Sequence, residues 1–236
     1  MHYDWEQLTT TVHRCRLPFC DVTVGLVRGH NGSLLVDSGT TLEEATFLNA
    51  DIDELGGAPV TDVVLTHQHF DHVLGSSVFA DAEIHCAPEV VDYMRAGAAL
   101  LRADALTHGA DPIQIDRALQ ALRLPRQGIR HGVVDLGDRT VSIGYLGAGH
   151  TASDLVVLVP ARGSDPAVVF TGDLVEESGD PEIDADSDVT AWPQTLDRLL
   201  KIGGPEAIYV PGHGRVVDAA FIRGQQDWLR FHGAGQ

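Results

Sequence analysis

Apolar and polar positions along this chain follow two alternating periods. "DVTVGLVRG" (21–29) and "SLLVDSG" (33–39) read as extended segments, and the Asn31-Gly32 pair between them predicts the turn of a β-hairpin. From Thr40 the spacing becomes helical through about Leu55, with Thr40 or Thr41 as N-cap, Glu43 and Glu44 in the first turn and Gly56-Gly57 as the stop. "TDVVLTH" (61–67) is a continuous apolar run, the pattern of a strand covered on both faces. A short helix over "DHVLGSSVFA" and a short strand at "EIHCAP" follow.

Residues 88 to 124 carry helical periodicity in two pieces broken around "THGADP", and residues 88–131 are expected to form a helical insertion that lids or walls a pocket, or packs on a sheet. The second half returns to strands at 140–150, 154–161 and 167–175. A helix at about 191–202, a strand at 207–213 and a final helix close the chain. Two β-rich stretches, each followed by helices, predict an α/β fold of two sheets packed face to face with helices outside, in a single domain over residues 1–236.

Composition narrows the function. The 236 residues are 44% apolar and 21% charged, a globular balance, with no apolar run long enough for a membrane span. Net charge is −18 and Lys201 is the only lysine, which argues against nucleic acid and anionic membranes as partners and for a small-molecule substrate. The opening residues lack a basic stretch followed by an apolar one, so a cytoplasmic location is expected. Cys15, Cys20 and Cys86 fit neither a disulfide framework nor a zinc ribbon. Seven acids crowd residues 176–188 without the spacing of a calcium loop, and read as a solvated loop.

The chemistry gathers where strands end. "VVLTH" stops at His67, "IGYLGAGH" at His150, "VVFTGD" at Asp173 and "IYVPGH" at His213, and three of these four follow a glycine, which lets backbone turn sharply or approach closely. With His69, Asp71 and His72 from "THQHFDH" there are seven candidate ligands. That is too many for one tetrahedral ion holding a water, and suits two divalent ions sharing a carboxylate, zinc first among them and iron or manganese next. His67 and His69, two apart in an extended turn, can serve one ion; Asp71 and His72 point at a neighbouring position. His2, His13, His30, His85, His108, His131 and His232 receive no role.

"THQHFDH", "GAGHTASD", "FTGD" and "VPGHG", in this order, resemble the metallo-β-lactamase-fold metallohydrolase superfamily, over residues from about 20 to 215. The resemblance implies an αβ/βα four-layer sandwich of two mixed sheets with metals at the rim between them. It gives His67, His69 and His150 to the first metal and Asp71, His72 and His213 to the second, with Asp173 bridging. Asp37 of "LLVDSG" would orient a ligand. A hydroxide between the ions would attack a small ester, lactone, thioester or related bond, with Asp71 orienting it and moving its proton. Phe70, Leu174 and Arg215 are the candidates for substrate contact.

Among subtypes the ligand set is similar to those of glyoxalase II and the quorum-quenching lactonases. Too few residues follow His213 for the glutathione-gripping domain of the former, and "GDLVEESG" lacks the tyrosine usual in the latter. True metallo-β-lactamases usually lack an aspartate at the position of Asp173. The nuclease branches need basic arms, and flavodiiron-type relatives carry glutamate where His69 stands. The rival reading is a persulfide-dioxygenase-like oxidoreductase using one iron on the same ligands; a third is a binding protein with a slow site.

Overall fold

The structure, a computed structural model, describes residues 1–233. Two sheets face one another. The first runs β1 (Glu6–Gln7), β2 (Val12–Arg16), β3 (Thr23–Arg28), β4 (Ser33–Val36), β5 (Val60–Val64), β6 (Glu83–His85) in spatial as in chain order. Its first four strands are antiparallel and β4, β5 and β6 are parallel. The second has the order β11 (Ile208–His213), β10 (Val168–Glu176), β9 (Leu155–Val159), β8 (Thr140–Tyr145), β7 (His131–Asp135), antiparallel except for the β10–β11 pair. With helices flanking both sheets, this is the expected α/β four-layer sandwich of mixed sheets.

The parallel pairs require crossovers, and helices supply them. Helix α1 (Leu42–Leu55) joins β4 to β5. Its N-terminus is a capping box: Thr41 Oγ1 accepts from Glu44 N (3.1 Å) and Glu44 Oε2 accepts from Thr41 N (3.0 Å). Gly56, at φ 72°, ends it. The one-turn helix α2 (Phe70–Val73) starts the β5–β6 connection, and α6 (Trp192–Gly203) the β10–β11 connection. Helix α7 (Ala219–Gly233) closes the chain.

Between β6 and β7 lie three helices rather than two, α3 (Pro88–Ala96), α4 (Ala98–Thr107) and α5 (Pro112–Ala121). The additional break is at Gly97, a poor helix residue whose N–H still bonds Tyr93 O at 2.6 Å while α4 starts anew. Strands β1, β2 and β7 were not anticipated either. In β2 the sequence VHRC is buried throughout, so polar His13 and Arg14 occupy core positions and break the apolar signature. Arg14 is satisfied by Gly214 O (2.9 Å) and Glu6 (2.7 Å).

Most buried apolar side chains form one cluster that joins both sheets with the inner faces of α1, α3, α4 and α5; a second, containing Leu174, Trp192, Leu196 and Tyr209, underlies α6 and α7. Strand ends on both sheets meet at one rim, where Val22 pairs with His213 in an isolated antiparallel bridge.

Candidate metal centre

Four chain segments deliver donors to this rim. His67 and His69 follow β5, Asp71 and His72 lie on α2, His150 follows β8, Asp173 lies within β10 and His213 ends β11. Two donor groups result, each with its ligand atoms within 4.8 Å of one another: His67, His69, His150 and Asp173, and Asp71, His72 and His213. All but His69 and His213 are buried.

Asp173 stands between them. Its Oδ2 lies 3.4 Å from His67 Nε2, 3.6 Å from His150 Nε2, 3.4 Å from His72 Nε2 and 3.3 Å from His213 Nε2. Two glycines make room for it. Gly172 has φ 53°, which a side chain resists, and Thr66 Oγ1 would lie 2.7 Å from its Cβ; a Cβ on Gly212 would fall 1.7 Å from Asp173 Oδ1.

Hydrogen bonds at the far side of each ring fix the tautomers. His72 Nδ1 donates to Asp37 Oδ2 (2.9 Å) and His213 Nδ1 to Cys20 O (2.7 Å); His150 Nδ1 faces Glu182 O (3.3 Å). Thr66 Oγ1 gives its proton to Asp37 Oδ2 (2.9 Å) and therefore accepts from His67 Nδ1 (3.0 Å). In its neutral form each of these four rings carries its proton on Nδ1 and turns the Nε2 lone pair inward. His69 is turned the other way: Nε2 lies 3.6 Å from Asp186 Oδ2, and Nδ1 faces His150 Nε2 at 3.0 Å.

The donor set fits divalent ions. Two ring lone pairs facing at 3.0 Å repel unless a cation or proton lies between them. Ligands bonded at about 2.0–2.2 Å in a tetrahedron are themselves about 3.3–3.6 Å apart. The Nε2 atoms of His67 and His72 and Oδ1 of Asp173 are buried with no hydrogen-bond partner among the described residues.

Electrostatics divide the rings in two. Burial drives His67 well below the ordinary histidine value and His150 down to about 4, so both rings are neutral, the form that can ligate a metal. Burial opposes protonation of His69, His72 and His213 too, but neighbouring carboxylates outweigh it. Asp186 and Asp71 raise His69 to about 9, Asp173 and Asp71 raise His213 to about 10, and Asp173, Asp71 and Asp37 raise His72 well above its usual value. For Asp173, burial favours the neutral acid, and His72, His213 and His67 overcome it and hold the carboxyl far below the normal range.

Asp37 has φ 61°. Its Oδ1 accepts from Thr66 N (2.8 Å) and its Oδ2 from both Thr66 Oγ1 and His72. Phe70 is buried and lines the cavity of about 450 Å³ above the centre, with Asp71, Asp173 and His213 at its floor. Leu174 is a correction: it is wholly buried in the second core against Gly149 and Trp192, because the residue after Asp173 on β10 points to the opposite face of the sheet. Arg215 is also corrected: its side chain is exposed, lies outside the cavity lining and pairs with Glu177 at 2.9 Å.

The acidic run 176–188 is not uniformly a solvated loop. A register shift in β10 before Glu176 brings that residue, like Asp173, to the cavity, and burial and the Asp173 charge push Glu176 up to about 7. Asp186 accepts from Gln68 Nε2 (2.6 Å) beside His69. His108, the C-cap of α4, reaches the same cavity, its ring 5.4 Å from Phe70. A carboxylate three residues after a strand-end aspartate was the signal available for Glu176; none pointed to His108.

Comparison with known proteins agrees with this geometry. The pattern of the metallo-beta-lactamase superfamily matches residues 17–213. The chain is 33% identical to metallo-beta-lactamase type 2 of Bacteroides fragilis over 123 residues, 50% of this chain and 47% of that protein, and so spans about half its length. It is 25% identical to metallo-beta-lactamase type 2 of Bacillus cereus, covering 84% and 69% of the two chains. To acyl-coenzyme A thioesterase MBLAC2 of Gallus gallus it is 28% identical, covering 80% and 71%. In fold it is similar to the VMB-1 crystal structure (TM-score 0.74, 17% identity, 98% of each chain) and to the metallo-beta-lactamase from Pontibacter korlensis (0.71, 20%, 97% and 99%). The chain belongs to the metallo-beta-lactamase superfamily.

Proposed function

We propose that this protein hydrolyses a small ester, lactone, thioester or related acyl bond with two divalent ions, zinc first, held by the seven residues above. The observation that carries this is Asp173 Oδ2 within 3.6 Å of four imidazole Nε2 atoms drawn from both donor groups, two of which, on His67 and His72, have no hydrogen-bond partner among the described residues. The similar proteins' names, beta-lactamase and acyl-coenzyme A thioesterase, denote acyl-bond hydrolysis as well.

Two divalent cations in such a site supply a water acidified to a nucleophile near neutral pH and a Lewis acid for the carbonyl oxygen. The protein's part is placement and proton handling. Asp173 shares one oxygen between the two donor groups and holds them at a fixed separation. Asp37, Thr66, Cys20 O and Glu182 O keep a proton on Nδ1 of these rings, so that Nε2 is the atom turned to the centre and the one freed when a charged ring gives up its second proton. Asp71 lines the cavity with Oδ2 3.4 Å from His213 Nε2, and its carboxylate takes the proton of the attacking water and returns it to the leaving group.

Elemental mass spectrometry of protein purified without added metal, followed by turnover of an ester, lactone and thioester panel, tests this. About two divalent ions per chain and hydrolysis are expected. Asp71→Asn should lower kcat by about 100-fold or more at saturating metal. A single iron with oxygen uptake on persulfides would replace this reading by the dioxygenase one.

A further inference from the structure

The cavity over the metal centre carries charge of one sign on its walls. Asp104 comes from α4, and Asp180, Glu182 and Asp184 come from the loop after β10; all four line the cavity. No lysine or arginine lines it. His108 is the one further basic side chain there, 3.3 Å from Asp104 and 4.0 Å from Glu182. Arginine pairs with some carboxylates elsewhere, as Arg102 with Asp116 (2.6 Å), Arg162 with Asp138 (2.7 Å) and Arg215 with Glu177 (2.9 Å), whereas none of these four wall carboxylates has an arginine or lysine within 4.0 Å among the described residues.

The cavity is a site independently of its acids. It opens on the metal centre, where the Nε2 atoms of His67 and His72, both in wholly buried rings, have no hydrogen-bond partner among the described residues. Asp71 and Asp173 are engaged by imidazoles at the floor, whereas Asp180 and Asp184 on the wall have no cationic partner within 4.0 Å among the described residues. A ligand filling about 450 Å³ would place its reacting bond at the floor and its far end against this wall. Phe70 beside His108 adds an aromatic surface at the same cavity.

We infer that the cleft selects substrates bearing a positive charge, an ammonium or quaternary amine remote from the hydrolysed acyl bond, and discriminates against polyanions such as acyl-coenzyme A. This rests on the hydrolase reading for its chemistry, but the recognition is a property of the wall. Carboxylates grouped at one mouth concentrate cations and repel anions, more strongly in a concave, partly desolvated cleft than on open surface.

The test uses three esters of one leaving group whose acyl ends carry trimethylammonium, its neutral isostere tert-butyl, or carboxylate. They are assayed with zinc-loaded full-length protein at low and high salt. The trimethylammonium ester should exceed the tert-butyl ester in kcat/KM by about ten-fold or more, with the ratio shrinking several-fold at high salt. Glu182→Gln with Asp184→Asn should narrow it to about threefold or less. Equal rates, or preference for the carboxylate ester, overturn the inference and leave the hydrolase reading standing.

A second arm needs no turnover: binding of choline and of 3,3-dimethylbutanol to metal-free protein, followed by NMR. Choline should bind about ten-fold tighter, in a salt-sensitive way; equal binding overturns the inference. If no ester is hydrolysed by protein holding two ions, the hydrolase reading fails and this arm still decides the selectivity.

Discussion

Replacing Asp37 by Asn changes one atom and exposes how the metal centre is held. Asn tolerates the left-handed backbone at φ 61°, and the side chains are isosteric, so neither strain nor volume enters. The hydrogen bonds do. Asp37 Oδ1 accepts from Thr66 N–H, while Oδ2 accepts from both Thr66 Oγ1 and His72 Nδ1. With the amide nitrogen at the Oδ1 position, two N–H groups meet in a buried site, at a cost of about 1–3 kcal/mol. With it at the Oδ2 position, the amide donates to His72 Nδ1, and His72 must carry its proton on Nε2, the atom that faces Asp71 and Asp173. Thr66 Oγ1 then donates to His67 Nδ1 and drives the same switch there. Loss of such an orienting partner weakens metal binding by about 10- to 100-fold, or roughly 1.4–2.7 kcal/mol. Competition against a chromophoric chelator should show this weakening in both donor groups, since His72 belongs to one and His67 to the other. Two zinc ions bound by folded Asp37→Asn with wild-type affinity would refute the tautomer reasoning.

Loading the centre should release protons, because His69 at about 9, His213 at about 10 and the raised His72 hold theirs at neutral pH and must give them up to ligate. Zinc titration calorimetry at pH 7 in buffers of different ionisation enthalpy is expected to report about two or more protons per chain; an enthalpy independent of buffer contradicts this. Chelation should lower Tm, since ligand at 100 times Kd contributes about 2.7 kcal/mol. Gly212→Ala sets a Cβ 1.7 Å from Asp173 Oδ1 and 2.8 Å from Gly172 C, so chemical denaturation should show a loss of about 1–3 kcal/mol together with weakened zinc binding. His13 is buried in β2, and burial, with Arg28 nearby, depresses it to about 4. Its neutral form therefore contributes stability fully present above pH 6.5 and lost as pH falls toward 4, by about 3 kcal/mol at most. His13→Leu should flatten that part of the Tm–pH profile relative to wild type.

The strand-end ligands were legible because metal chemistry restricts residue type and β-strand ends have a local signature, so "VVLTH", "FTGD" and "VPGH" announce themselves. Helix α1 was legible for the same local reason, its cap and its glycine stop lying within a few residues of the apolar stripe. Strand β2 was not, since VHRC fits a buried strand only once Gly214 O and Glu6 reach Arg14 from elsewhere in the chain. Leu174 and Arg215 were misread from adjacency: one residue beyond a ligand on a strand is the opposite face, and two beyond His213 the chain already carries Arg215 to Glu177.

What positions the rings was least visible, for a physical reason. His213 and His150 are oriented by the backbone carbonyls of Cys20 and Glu182, and a carbonyl has no residue identity to read. Such contacts depend on where the chain passes. Glu182 matters here through its carbonyl at His150 and, separately, through its carboxylate on the cavity wall. Substituting its side chain alters the wall while leaving the carbonyl in place. That separation is why Glu182→Gln can probe substrate charge without removing the acceptor that holds a metal ligand.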